Sequence, residues 1–357
     1  MKQMKTILHR SVLAALVILM FLGTVYGASV VMQKEGAARN QQENIPVNTA
    51  PAADGNPLMF MPDRLKDKSD YGMELEFETG ARTVTIQRYK LLAKGTVNIF
   101  ILNTGDLHES SKRLAGISQY VQTMRMQHPG RVVLLDAGDM LTHFKRVSPE
   151  SDWQGEHDKM FGWAKQMKYD AMVFGNHDFV PGVRTTQLLM DKYSLPFVTA
   201  NLQHPDLNVP PSRIISLPIT LSDKSNIAVK IGVIGLSDQD WIDYHHPTDA
   251  DKKNLTVHPV YNNTIKALIK TLEANADFIV LLSHNWDNVD TDSVAKLPGD
   301  KTHIIVGGHS HKVLVEKANG RSLIKSGAYG RDVGSTMVEW DPGAARVVKV
   351  TAKNVAP

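Results

Sequence analysis

Apolar and polar positions alternate along this chain in two rhythms. Between Met73 and Tyr89 they take turns with a period of two, interrupted at Thr79-Gly80, the pattern of two strands joined as a β-hairpin. From Val97 onward the rhythm changes. Short apolar runs of strand type recur at Val97 to Leu102, Val132 to Leu135, Ala171 to Phe174, Val229 to Leu236, Phe278 to Leu282 and His303 to Val306. Between them lie stretches with helical spacing, at Ser111 to Met126, Lys159 to Met167, Thr185 to Tyr193 and Tyr261 to Ala274. Pro129-Gly130 ends the first helical stretch, and the third leads to Pro196-Phe197-Val198-Thr199-Ala200-Asn201. Strands alternating with helices predict an α/β layered domain whose loops, at one edge of the strands, build a site. The closing residues, Gly334 to Trp340 and Arg346 to Thr351 around Asp341-Pro342-Gly343, read as a final hairpin. No internal repeat and no second domain is expected after it.

The start of the chain has another character. Lys2, Lys5 and Arg10 precede an apolar run from Val12 to Val25, followed by small residues at Gly27, Ala28 and Ser29, which reads as an export signal over residues 1–28. Apolar character resumes at Val30-Val31-Met32, so a stretch from about Ser11 to Met32 also meets the roughly 20 residues that an uncleaved anchor needs. Either reading exports the bulk of the chain, to a bacterial periplasm, free once the signal is cleaved or else anchored to the inner membrane. Residues 29–70 are rich in Gln, Asn, Pro, Ala and charge and lack periodicity, which reads as a disordered linker that buries too little apolar surface to order itself. The hairpin then occupies residues 71–95 and a single catalytic domain residues 96–357.

With 357 residues, 42% of them hydrophobic, the chain can bury a large core. The formal charge of +3 is small and gathers into no basic patch, so nucleic acid is not an expected partner. The absence of cysteine removes disulfides, thiolate ligands and lipid-modified Cys, and suits a bacterial periplasm better than a eukaryotic secretory route.

The chemistry is carried by short islands, most of them directly after an apolar run: Asp106-Leu107-His108, Gly138-Asp139, Gly175-Asn176-His177-Asp178, Ser283-His284-Asn285 and Gly308-His309-Ser310-His311. Any one alone reads blandly, an Asp after a strand as a cap and a His as a satisfied core group. Together they supply carboxylate oxygen and neutral imidazole, the ligands that zinc and harder divalent ions share. A two-metal site about 4 Å across needs one bridging carboxylate and separate ligands for each ion, which the islands can provide. Asp106 and His108, like His309 and His311, lie two positions apart, and Gly105 and Gly307-Gly308 permit the loop to curl where each pair sits. His143, His204, His245, His246, His258 and His303 lie outside the islands and read as structural or surface residues.

The ordered set resembles the calcineurin-like metallophosphoesterase superfamily, whose pattern is Asp-x-His, Gly-Asp, Gly-Asn-His-Asp/Glu, His and Gly-His-x-His. Further text, Leu135-Asp136-Ala137-Gly138-Asp139, the run from Pro196 to Asn201, and Ser326-Gly327-Ala328-Tyr329-Gly330-Arg331, is similar to the catalytic domain of the 5′-nucleotidase branch, over about Val97 to Met337. The resemblance implies a four-layer sandwich, two mixed β-sheets flanked by helices. It implies two divalent ions, manganese, zinc or iron, with Asp106, His108 and His311 on one, Asn176, His284 and His309 on the other, and Asp139 bridging them. It further implies a small phosphoester substrate, a nucleotide among the candidates, attacked by a water or hydroxide bridging the ions, with His177 stabilising the transition state or protonating the leaving oxygen.

Two departures stand out. Val180 occupies the place of the family's Asp that orients the catalytic histidine, and Met140-Leu141-Thr142-His143 follows Asp139 where a Gln-Gly pair is usual. The second domain that supplies the nucleoside pocket in a typical 5′-nucleotidase is not expected here, so nucleotide specificity does not carry over from the resemblance. Two rival readings keep the fold: a non-catalytic metal-binding envelope adaptor, and an enzyme resembling the sulfur-oxidation thiohydrolases that acts on a sulfur ester.

Overall fold

The computed structural model describes residues 96–141, 153–221, 224–238 and 253–357, together with five strand segments nearer the N-terminus. Contacts divide the chain into two units, Met1–Thr96 with Asp341–Ala345, and Val97–Trp340 with Arg346–Pro357.

The described part of the first unit is one sheet of β1 (Gln3–Leu8), β2 (Ser29–Lys34), β3 (Gln42–Pro46), β4 (Gly72–Thr79) and β5 (Val84–Leu92), in the order β1-β4-β5-β2-β3. β4 and β5 pair antiparallel with Thr79 opposite Val84. β2 and β3 fall inside the stretch expected to be an unordered linker, a local difference from that reading. The reason is compositional dilution: Val30, Val31 and Met32 form a short β-prone run that the polar average over 29–70 conceals. The apolar run from Val12 to Val25, which carries the export reading, lies outside the described residues. No helix among the described residues is long and apolar enough to cross a membrane.

The second unit contains two mixed sheets. The first joins β6 (Val97–Thr104), β7 (Val132–Asp136) and β8 (Ala171–Met172), all parallel. A short separate ribbon pairs β9 (Leu202–Gln203) with β12 (Thr256–Val257). The second sheet is built from β10 (Ser212–Thr220), β11 (Asn226–Ser237), β13 (Phe278–His284), β14 (Thr302–Gly307), β15 (Val313–Ala318) and β16 (Arg321–Ser326), in the order β10-β11-β13-β14-β16-β15, with β12 (Thr256–Val257) outside it. Its four central strands are parallel and its two edge strands antiparallel. The last strands, β17 (Val333–Asp341) and β18 (Arg346–Val355), complete the first sheet as β18-β17-β6-β7-β8, with β17 antiparallel to β6.

Side-chain parity explains the layering, because successive residues of a strand face opposite sides. Ile99 and Ile101 of β6, Val133 and Leu135 of β7, Phe278, Val280 and Leu282 of β13, and Ile304 and Val306 of β14 share one buried cluster between the sheets. The alternate residues Leu102 and Leu134 face outward, into a cluster with Ile117 and Val121 of α1 (Leu114–Gln127), Phe161 of α2 (Trp153–Met167) and Val183 of α3 (Val183–Tyr193). On the far side, Ile279, Leu281 and Ile305 meet Ile265, Ile269 and Leu272 of α4 (Asn263–Glu273). Those three helix residues recur at four and three, one stripe of a helix, and Asn262 caps its start by accepting from the Ile265 N–H at 2.9 Å. The result is the four-layer α/β sandwich, helices outside and two sheets within. Strands buried on both faces explain why β13 reads as a continuous apolar run.

Two local differences follow from the same rule. Pro196 to Asn201 forms only an isolated bridge from Phe197 to Met172. β16 is buried throughout although it contains Arg321, Ser322, Lys325 and Ser326, polar residues that hide a strand from any hydropathy pattern.

Candidate metal centre

β6, β7, β13 and β14 are parallel, so their C-terminal ends lie on one edge, and four of the islands start there. The chain then turns sharply. Asp106, His108, Asp139, His309 and His311 all adopt left-handed backbone, with φ of 51°, 46°, 55°, 74° and 58°. Such conformations cost non-glycine residues energy and persist only where surrounding structure imposes them. The restraints are visible: the Asp106 N–H donates to Gly138 O at 2.8 Å, the His108 N–H to Asp139 O at 3.1 Å, and the His309 N–H to both carboxylate oxygens of Asp106 at 3.0 Å. Gly175 is demanded by crowding, since a Cβ there would overlap Oδ1 of Asp139; at Gly308 a Cβ would lie 2.6 Å from Ala137 O and 3.0 Å from His284 Nδ1.

The expected site residues gather into two overlapping groups. Ligand atoms of Asp106, His108, Asp139 and His311 all lie within 4.8 Å of one another, and so do those of Asp139, His284 and His309. Asp139 belongs to both. Asn176 joins the second group, with Oδ1 3.2 Å from His284 Nε2 and 3.0 Å from His309 Nδ1. His177 stands beside them, Nε2 3.9 Å from Asp139 Oδ2 and its ring edge-on to His108 at 4.9 Å. The structure thus brings together all eight residues singled out from the sequence.

Hydrogen bonds decide which lone pairs face the centre. Carbonyl oxygens only accept, so His108 Nδ1 donates to Leu141 O at 3.0 Å and His284 Nδ1 to Ala137 O at 2.6 Å, leaving Nε2 of each unprotonated in the neutral ring and turned inward. There His108 Nε2 meets His311 Nε2 at 2.9 Å, and His284 Nε2 meets His309 Nδ1 at 3.1 Å. Inward lone pairs beside buried carboxylate oxygens, held by carbonyls behind, are a donor set that fits divalent cations.

The electrostatics agree. Burial pushes His108 down to about 4, opposed by Asp139, and pushes His309 down to about 3, aided by His284. His311 is lowered too, by burial. These rings are therefore neutral at neutral pH, the form that offers a lone pair. Burial alone would lower His284, but the carboxylates of Asp139 and Asp106 outweigh it and raise the ring to about 10, so at its Nε2 a proton and a cation compete for the same lone pair. Burial would raise Asp139, and His284, His177 and His108 instead hold it well below the usual carboxylate range. Burial drives Asp106 well above that range, with Asp139 contributing. Two buried carboxylates competing for positive charge are what a bound cation relieves.

Several supporting residues escaped the sequence reading. Asp178, fully buried, accepts from four backbone N–H groups: Gly175 at 2.8 Å, Asp139 and Met140 at 3.0 Å, and Leu141 at 3.2 Å. It thereby ties the loop of Asn176 to the loop of Asp139. Val180 follows in a short 3-10 turn, Asn176–Phe179, whose end it caps. Asp238, buried just past β11, places Oδ2 3.4 Å from His309 Nε2, behind the ring. His157, fully buried on α2, meets Glu109 at 3.0 Å and so braces the loop of Asp106 and His108. Trp286 stands against His309 at 4.2 Å and Tyr329 against His108 and His311 at 5.4 and 5.6 Å. The signal for Asp238 was available: Leu236-Ser237-Asp238 repeats the pattern of an acid directly after an apolar strand. His204 is buried and accepts from the Asp206 N–H at 3.0 Å, a structural use, while His143, His245 and His246 lie outside the described residues.

The family model described as calcineurin-like phosphoesterase matches residues 100–313. Among curated relatives, the protein UshA of Salmonella pullorum is 27% identical over 297 residues, covering 71% of this chain and 51% of its own. A 5′-nucleotidase of Homo sapiens is 25% identical over 293 residues, covering 70% of this chain and 48% of its own. The chain thus spans about half the length of these relatives. Among solved structures, the calcineurin-like phosphoesterase YfkN of Bacillus subtilis superposes with a TM-score of 0.60 at 20% identity, over 73% of this chain and 91% of the other. A sulfate thiohydrolase, SoxB, superposes with a TM-score of 0.58 at 15% identity, over 75% and 58%. At these identities both show a common fold.

Proposed function

Because this chain belongs to the calcineurin-like phosphoesterase family, we propose that it is an exported hydrolase of small phosphoesters that works with two divalent ions. The observation that carries this reading is the pair of ligand groups sharing Asp139. On this reading Asp106, His108 and His311 would hold one ion, Asn176, His284 and His309 would hold the other, and Asp139 would serve both. Manganese, zinc or iron bound there would supply Lewis acidity.

The chain's own residues do the rest. His108 and His284, their outer nitrogens bound to carbonyls, keep their inner lone pairs from turning away. His177, close to Asp139 but belonging to neither ligand group, donates a proton to the leaving oxygen, and Asp139, which accepts from the His177 N–H at 2.8 Å, fixes where that ring can sit. Trp286 and Tyr329 flank the entrance and confine the leaving group. A nucleotide is the first candidate substrate because relatives bear the name 5′-nucleotidase. Export rests on the basic residues Lys2, Lys5 and Arg10 ahead of the apolar run from Val12 to Val25.

The test is turnover by the exported form, loaded with manganese or zinc, against nitrophenyl phosphate, bis-nitrophenyl phosphate, nucleotides, cyclic nucleotides and a sulfur ester. Hydrolysis of a phosphoester is the expected result, and the mono- and diester arms assign the bond. Metal uptake with no turnover of any ester would leave a binding protein in its place, and turnover of the sulfur ester alone would leave a thiohydrolase.

A further inference from the structure

A buried ammonium lies directly behind the centre. Lys325 is in β16, two residues after Leu323 and therefore on the same, helix-facing side of the sheet, yet its side chain is 1% exposed. Its Nζ donates to Asn285 O at 2.8 Å and to Gly308 O at 3.0 Å, and sits 2.8 Å from Asp290 Oδ2 and 2.9 Å from Asp287 Oδ1. The first two contacts locate it in the molecule. Asn285 is the residue after His284, and Gly308 is the residue before His309.

The surrounding sequence is built to accommodate this side chain. β14 pairs with β16 so that Gly307 lies opposite Lys325, and a Cβ at Gly307 would come within 2.8 Å of Lys325 Cε and 3.1 Å of Asp290 Oδ2. Asp290 belongs to a short helix, α5 (Asp287–Asp292), and is fully buried; its Oδ1 accepts from Ser283 Oγ at 2.6 Å, and Ser283 precedes His284. Asp287 also receives Lys312 at 2.6 Å, one residue past His311. A lysine is seldom buried so completely unless its charge is paired and hydrogen-bonded, and this one is.

We propose that Lys325, held by Asp290 and Asp287, is a positioning residue that sets the spacing of the loops carrying His284 and His309, and so governs the affinity of the ion those two imidazoles bind. This rests on the ligand assignment proposed above. The physical reason is local. Without the ammonium, two carbonyl oxygens and two carboxylates face one another in the interior, and the repulsion is relieved only by parting the loops. Parting them separates His284 Nε2 from His309 Nδ1, now 3.1 Å apart. Among the described residues Lys325 makes no hydrogen bond or ion pair to Asp106, His108 or His311, so that group feels its loss only through the weaker field on Asp106.

Manganese titration of the full chain, followed by the resonance of free Mn²⁺, reads the two affinities separately. Wild type is expected to bind two ions. Lys325→Met should keep one affinity and weaken the other by about 10–100-fold, the range for residues that support a ligand from behind. Asp290→Asn, which preserves shape and the Ser283 contact, should weaken the same ion in the same direction and decides the matter if Lys325→Met does not fold. Leu323→Ala opens a cavity on the same face of β16 and should lower Tm while leaving both affinities in place. Equal weakening of both ions, or unchanged affinities in Lys325→Met and Asp290→Asn, overturns the proposal. Failure of wild type to bind any ion would instead overturn the ligand assignment, and with it this inference, in an arm that no variant enters.

Discussion

His284 and His311 are matched members of the two halves of the centre, yet they live in different surroundings. His284 is fully buried, its outer nitrogen on Ala137 O at 2.6 Å, with Asp290 and Lys325 bracing the loop on either side of it. His311 has a side chain 39% exposed and meets Asp106 Oδ1 at 3.6 Å and the Tyr329 ring at 5.6 Å. His284 is held by buried charge and hydrogen bonds, whereas His311 is partly open to solvent. Preorganisation favours tight retention, because ligands already in place lose little freedom on binding, whereas an exposed imidazole must be ordered by the ion itself. On the two-ion reading proposed above, the half of His284 would retain its ion and the half of His311 would exchange it.

The largest expected effect erases the comparison. Asp139→Ala removes the one carboxylate common to both groups, so both ions and all turnover should be lost, measured by metal analysis after gel filtration alongside an ester assay. Retention of one ion at full occupancy would mean that the halves do not share Asp139.

His177→Ala should leave both halves loaded while lowering the rate by about 10²–10⁴-fold, as expected for loss of a general acid. Metal loss equal to that of Asp139→Ala would make His177 a ligand instead.

A smaller difference separates the halves themselves. His284→Ala should lower metal content to one ion per chain even at excess metal, whereas His311→Ala should retain two at saturation with one affinity weakened, about 10-fold or more, on the scale of lost support around a metal. Competition with a chelator reads both, and identical curves for the two variants would abolish the distinction drawn here.

The smallest effect concerns pH. Burial opposes the charge on Lys325, but Asp290 and Asp287 outweigh it and raise the group above the usual lysine value of 10.5. A raised lysine contributes stability that is fully present below 10.5 and is lost as pH climbs through the raised value. Urea unfolding between pH 9 and 12 should therefore lose more stability in wild type than in Lys325→Met, roughly 1.4 kcal/mol for each unit by which the group is raised. Parallel slopes would show that the ammonium is not paired in the folded state.

Much of this was legible in the chain because the signals are local. The strand runs Val97 to Leu102 and Phe278 to Leu282 announce themselves by continuous apolar character, and the islands by their place directly after such runs. β16 did not announce itself, since Arg321 and Lys325 inside a fully buried strand contradict hydropathy; both are satisfied by distant carbonyls, Arg321 by Thr302 O at 3.0 Å and Lys325 by Asn285 O at 2.8 Å. Asp178 was visible as a residue but not as a clamp, because three of its four donors, Asp139, Met140 and Leu141, are 37 to 39 positions away. Likewise nothing in the text around Asp238 or His157 shows that they stand behind His309 and Glu109.

The sequence by itself determined the alternation of strands and helices, the strand edge that bears the loops and the islands of ligand-type residues on them, because periodicity and residue chemistry are properties of short segments, while the layer order and the division of ligands were implied by the family resemblance. Only the tertiary structure decided which imidazole nitrogen faces inward, which half is buried, and that one ammonium joins the two histidine loops of that half. Those outcomes depend on contacts between β13, β14 and β16 and between loops more than a hundred residues apart, such as Ala137 O on His284 Nδ1, and close-packed neighbours rather than local propensity set them.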